Sequence, residues 1–114
     1  MEPDEYKPKA SAKVRTRYHI VLVTKYRKHA LAGIEADVLD SIRDAERRSR
    51  FAIHRINTGD GNHVHMLVSI PPDMTISGTV SRIKQLTTRE LWSKHPDHLK
   101  RYYWVKEKRL ISPG

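Results

Sequence analysis

Apolar residues alternate with polar ones at a spacing of two in some stretches of the chain and recur at helical spacing in others. From Arg17 to Tyr26 the run RYHIVLVTKY is β-branched and aromatic, with Tyr18, Ile20 and Leu22 on one face and His19, Val21 and Val23 on the other. Both faces carry bulky side chains, which predicts an inner strand. Between Ile34 and Ser49 the apolar positions Ile34, Val38, Ile42 and Ala45 fall at helical spacing, and Asp37, Asp40, Asp44, Arg43 and Arg47 fill a solvated face, which predicts a helix. Phe51 to Thr58 and His63 to Ile70 predict two strands of a hairpin, joined by Gly59-Asp60-Gly61-Asn62, residues that tolerate positive φ. Pro71-Pro72 ends the second of these, and Asp73 or Thr75 can cap a second helix whose stripe is Ile76, Val80, Ile83 and Leu91, running to Trp92. After a turn at His95-Pro96-Asp97, a fourth strand is expected around Trp104 to Ile111. The order β-α-β-β-α-β is an α+β fold: a four-stranded antiparallel sheet with two helices on one face and the other face open.

At 114 residues the chain has the length of one domain. The first dozen residues lack apolar periodicity and predict a basic, disordered arm (1–12) ahead of the folded part (13–114). Charge sharpens this picture. The chain has 22 Lys and Arg against 13 Asp and Glu, a net charge of +9. The excess is +5 over residues 1–28 and +5 over residues 63–114, with −1 between them. Two basic ends around a neutral middle favour a phosphate backbone as partner. The absence of cysteine excludes disulfides and thiolate zinc sites. No apolar run reaches the ~20 residues that span a bilayer, and the acidic N-terminus does not read as a signal peptide, so a cytoplasmic protein without membrane contact is expected.

Among residues able to carry chemistry, His63-Val64-His65 stands out. Alternation along a strand places both imidazoles on one side, while Val64, Met66, Val68 and Ile70 give the other side to the core. The pair must then look out from the open face, close enough for one divalent ion to bridge it. With seven histidines in the chain the spacing alone is a weak signal, and two half-exposed sheet histidines would explain it equally well. Two imidazoles also leave a hard cation under-coordinated; His19 is a candidate third ligand, and Asp60 and Asn62 read as turn residues. Lys25, Tyr26 and Arg27, within the run Thr24 to His29, combine cations with an aromatic ring and suit a single-stranded nucleic acid. Lys84 and Arg89 on the second helix extend the basic surface, although solubilising charge reads the same way. No serine lies in a Gly-x-Ser-x-Gly context. Of the tyrosines, Tyr18, Tyr26, Tyr102 and Tyr103 read first as packing residues.

The ordered segments YHIVLVTKYRKHAL, GNHVHMLVSIPP, SRIKQLTTRELW and LKRYYWVKEKRLISPG together resemble the IS200/IS605 transposases of the HUH single-strand nuclease superfamily, from about Val14 to Gly114. The resemblance implies a ferredoxin-like fold, a homodimer, and cleavage and rejoining of single-stranded DNA at the hairpin-folded ends of a mobile element. It implies Mg2+ or Mn2+ held by His63 and His65, a tyrosine nucleophile, and no small-molecule cofactor. Two departures stand against this pattern. The family commonly has aspartate where this chain has Asn62, and the family's segment matching LISPG runs on into a strand and a helix carrying the tyrosine and a further metal ligand, for which no residue here is a match. The expectation is a transposase domain truncated before its tyrosine helix. The alternative is a non-catalytic nucleic-acid-binding module, or a dominant-negative regulator of full-length transposases.

Overall fold

The computed structural model of the chain describes residues 16–112. The arm expected over residues 1–12 lies outside the described residues. The elements are β1 (Thr16–Val23), a short 3-10 turn (Lys25–Arg27), α1 (Glu35–Arg47), β2 (Ala52–Thr58), β3 (His63–Ile70), α2 (Ile76–Lys94) and the single turn α3 (Pro96–Leu99). Among the described residues the sheet has three strands in the order β1-β3-β2, both pairings antiparallel. No helix among them is long and apolar enough to cross a membrane.

One side of the sheet is the core. Ile20 and Leu22 from β1, Ile53 from β2, and Val64, Met66, Val68 and Ile70 from β3 are buried there with Val38, Ile42 and Ala45 of α1 and Ile83, Leu86 and Leu91 of α2. Period-two alternation on the strands and 3.6-residue periodicity on the helices bring these side chains to one layer. Thr75 caps α2, its Oγ1 accepting from Gly78 N–H at 2.9 Å. Asp73, the other candidate cap, pairs with Arg50 instead, at 2.7 Å.

The structure departs from the sequence pattern in three places. Among the described residues the inner strand is β3 and β1 lies at an edge, and Val21, on its second face, is 48% exposed, because no layer of the described residues covers that side. The buried stripe of α2 is Thr79, Ile83, Leu86, Thr87 and Leu91, rotated so that Ile76 is exposed. Trp104 to Ile111 is not a strand. The charged run Lys106-Glu107-Lys108-Arg109 offers no alternating apolar face, and the chain turns there, with Glu107 and Lys108 N–H both donating to Trp104 C=O and Lys108 at φ 48°. Strand pairing begins only at its end, in a single antiparallel bridge between Ile111 and Thr24, beside Ser112 N–H on Val23 C=O at 2.7 Å.

Candidate nucleic-acid and metal site

The open face of the sheet carries the histidines. His63 lies opposite Val23, and His65 lies between Val21 on β1 and Asn57 on β2. Their rings meet edge to face with centroids 4.7 Å apart, His63 half-buried and His65 exposed. Asn62 Oδ1 accepts from His63 Nδ1 at 2.8 Å, which puts the proton on Nδ1 and leaves Nε2 as the basic nitrogen.

Gly59 makes room for this ring. A Cβ at position 59 would sit 2.0 Å from His63 Nε2 and 2.1 Å from Cε1. Gly59 and His63 face each other across the base of the hairpin, with Gly59 N–H on His63 C=O at 3.0 Å, so the imidazole lies over bare backbone. In the sequence Gly59 is indistinguishable from an ordinary turn glycine; the signal was its place directly across the hairpin from the first histidine. The conformational demand falls on Gly61 instead, at φ 88° and packed against Ala32.

The basic turn is stitched to the same hairpin. Thr24 N–H donates to Asn62 C=O at 2.9 Å, Leu31 N–H donates to Gly61 C=O at 2.8 Å, and His29 Nδ1 donates to Asp60 C=O at 2.6 Å. Lys25, Tyr26 and Arg27 therefore begin directly after Thr24, which bonds to Asn62, and two residues after Val23, which faces His63. Tyr26 and Arg27 both have positive φ, 60° and 53°. Two successive side chains in the left-handed region are uncommon outside glycine and cost on the order of 1–2 kcal/mol each. Thr24 supports the turn, its Oγ1 donating to Lys28 C=O at 2.6 Å.

Lys84 reaches the same neighbourhood from α2. It lines a cavity of about 230 Å³ with Val21, Val23, Thr24, Arg27 and Ser112. Arg89 lies a turn and a half further along, in a larger groove of about 1340 Å³ between α2 and the C-terminal segment, where Lys84 also contributes. The geometry thus gathers His63, His65, Lys25, Tyr26, Arg27 and Lys84, while Arg89 lies outside that cavity, in the groove it shares with Lys84. His19 shares the open face but stands opposite Leu67, one pair beyond His65. Among the described residues no group of three His, Cys, Asp or Glu is arranged to hold a metal ion.

Tyrosines and tryptophans sort clearly. Tyr103 is buried, its phenol donating to Lys25 C=O at 2.8 Å, and burial pushes that phenol above its ordinary pKa, a hydrogen bond with Thr24 opposing the shift. Tyr102 packs against His98 and beneath the Arg101 guanidinium. Trp92 is buried and donates Nε1–H to Arg109 C=O at 2.8 Å, fixing the C-terminal segment to α2.

Known proteins resemble the chain in sequence and in overall fold. Residues 12–109 match the family model described as "Transposase IS200 like". The chain is 28% identical over 96 residues to the transposase for insertion sequence element IS200 of Salmonella typhimurium, covering 79% of this chain and 62% of that protein. It is 31% identical over 88 residues to the ISDra2 transposase TnpA of Deinococcus radiodurans, covering 76% of this chain and 61% of that one. It therefore spans about three-fifths of the length of these curated relatives. A crystal structure titled as a transposase from Deinococcus radiodurans superposes with a TM-score of 0.79 at 26% identity, over 96% of this chain and 82% of the other. In sequence and in fold, the chain belongs to the family of IS200-like transposases.

Proposed function

We propose that this chain binds single-stranded DNA, the hairpin-folded ends of a mobile element, and presents a scissile phosphate to a divalent cation held by His63 and His65. The observation that carries the reading is the joining of two features far apart in sequence: the histidine pair on the open sheet face and the cationic turn Lys25–Arg27 bonded to the same hairpin through Thr24 and Asn62. Two imidazoles side by side, one with its tautomer set by an amide oxygen, fit Mg2+ or Mn2+ with the remaining positions left to water and phosphate oxygens. When bound there, the ion would withdraw charge from the phosphate and orient its leaving oxygen.

The protein's own groups do the rest of the positioning. Asn62 orients His63, and being neutral where an aspartate is common in the family, it adds no charge to the site. Lys25, Arg27 and Lys84 neutralise neighbouring phosphates, and Tyr26 offers a ring to an unpaired base. The nucleophile is not assigned to Tyr103, whose phenol is committed to Lys25 C=O and disfavoured as phenolate. A homodimer belongs to the proposal, supported by the position of β1 at the sheet edge.

Fluorescence anisotropy with a labelled single-stranded hairpin and a blunt duplex of the same sequence tests the reading. The hairpin binds more tightly, Mn2+ strengthens it, and His63→Ala with His65→Ala removes the Mn2+ effect but not the binding. Equal affinity for duplex and hairpin would overturn the single-strand claim.

A further inference from the structure

The two most exposed aromatic side chains among the described residues are Trp104, 78% exposed, and Tyr26, 75% exposed. They lie on segments fastened to each other. The Tyr103 phenol donates to Lys25 C=O at 2.8 Å, and Lys25 N–H donates to Leu110 C=O at 2.8 Å. Each exposed ring belongs to the residue immediately after one end of the Tyr103–Lys25 bond. The backbone at Tyr26 is held in the left-handed region, and Lys25 Nζ stands 5.2 Å from its ring centroid. The tyrosine next to Trp104 turns inward, whereas the tryptophan, the larger apolar side chain, is left in water.

We propose that Tyr26 and Trp104 form a two-ring platform on which unpaired bases of a DNA single strand stack, extending the basic turn beside the histidine pair onto the C-terminal segment. This rests on the single-strand reading above and adds a base-contacting residue, Trp104, to it. Charge complementarity selects the occupant. Residues 24–28 and 100–109 together hold eight basic residues and one acidic residue, so the rings are set in a cationic surface suited to a phosphate backbone. Every base has a π-face, so such a platform grips unpaired bases without regard to sequence and cannot engage bases stacked within a duplex. The ties through Tyr103 and Leu110 fasten the two backbone segments that carry the rings to each other before the strand arrives, which lowers the ordering cost of binding.

The full chain has two tryptophans, and only Trp104 is exposed, so its fluorescence reports the contact directly. The chain is titrated with a short oligothymidylate and with an abasic strand of equal length and charge. The expected result is quenching by the oligothymidylate alone. Trp104→Ala and Tyr26→Ala each weaken oligothymidylate binding about tenfold, while Trp104→Phe and Tyr26→Phe retain most of it, and all variants bind the abasic strand alike with the same salt dependence. Equal affinity of the wild type for both strands, or alanine variants that bind oligothymidylate as the wild type does, would overturn the platform and leave the DNA reading standing. Failure of the wild type to bind either strand would bring down both. A Trp104→Ala variant that changes only self-association, measured by sedimentation, would show the ring to be a protein contact and the platform wrong.

Discussion

Replacing Gly59 by alanine separates the placement of His63 from the stability of the hairpin. Gly59 is not among the positive-φ residues, so the backbone accepts an L side chain without strain. The added methyl would lie 2.0 Å from His63 Nε2, whereas ordinary contact begins near 3.4 Å, so the ring must retreat by about 1.4 Å. The imidazole is the far end of a rotatable side chain on a half-exposed face, and it can swing away at small cost. Folding stability should change by no more than about 1 kcal/mol, with the reduced freedom of the unfolded chain offsetting the lost packing. Metal affinity is more sensitive, because displacing a ligand or its orienting partner typically costs about 10–100-fold. Titration with Mn2+ followed by electron paramagnetic resonance of the free ion, alongside thermal unfolding, reads both quantities. The expected outcome is a near-wild-type melt with Mn2+ affinity lowered at least tenfold. Unchanged Mn2+ affinity in Gly59→Ala would refute the argument that the ring position seen over Gly59 serves the metal.

The remaining predictions address the core, the ends of the pH range and the tyrosines. Thr87 Oγ1 is buried and has no hydrogen-bond partner among the described residues, so Thr87→Val should stabilise the fold by about 1 kcal/mol and raise Tm by roughly 4–8 °C in calorimetry; a lowered Tm would show the hydroxyl to be satisfied. The hydrogen bond from Arg50 to Asp73, followed by its charge, holds that carboxyl below its ordinary 3.8, so the tie stabilises the fold above that value and the contribution disappears as pH falls through the lowered pKa. Arg50→Ala should accordingly flatten the acid limb of a stability profile, and an unaltered limb would exclude the pair as its source. Burial holds the Tyr103 phenol above its ordinary 10.0, so the folded state loses stability as pH rises beyond that value, and Tyr103→Phe should remove that alkaline loss. With a hairpin oligonucleotide and Mn2+, no covalent DNA adduct should form on Tyr102 or Tyr103, and mass spectrometry finding one there would contradict the structural roles given to them.

The elements that follow from strict periodicity were legible in the sequence almost to the residue. Strand β3 occupies His63 to Ile70 as its alternation predicts, and α1 buries Val38, Ile42 and Ala45 as its spacing predicts. The placing of both histidines on the face away from the core followed from the apolar set Val64, Met66, Val68 and Ile70, since alternate residues of a strand point to opposite faces. Where two faces look alike, pattern gives no order: β1 carries bulky residues on both sides, and its edge position is decided by β3 pairing with two partners. The expected fourth strand failed because β propensity at Trp104 and Val105 is overridden by the charged turn that follows. The joining of Lys25–Arg27 to the histidine hairpin was invisible for a different reason, as it depends on contacts of Thr24, His29 and Leu31 with Asn62, Asp60 and Gly61 that no local window contains.

The proposed function stands or falls on a divalent cation held jointly by His63 and His65. Pulsed electron paramagnetic resonance of Mn2+ bound to the full chain, with and without a single-stranded hairpin, tests it directly. Modulation from imidazole nitrogens is expected to vanish in the His63→Ala/His65→Ala double variant, along with the affinity, and to persist in His19→Ala. Wild-type Mn2+ affinity in the double variant, or nitrogen coupling that survives it, would contradict the account.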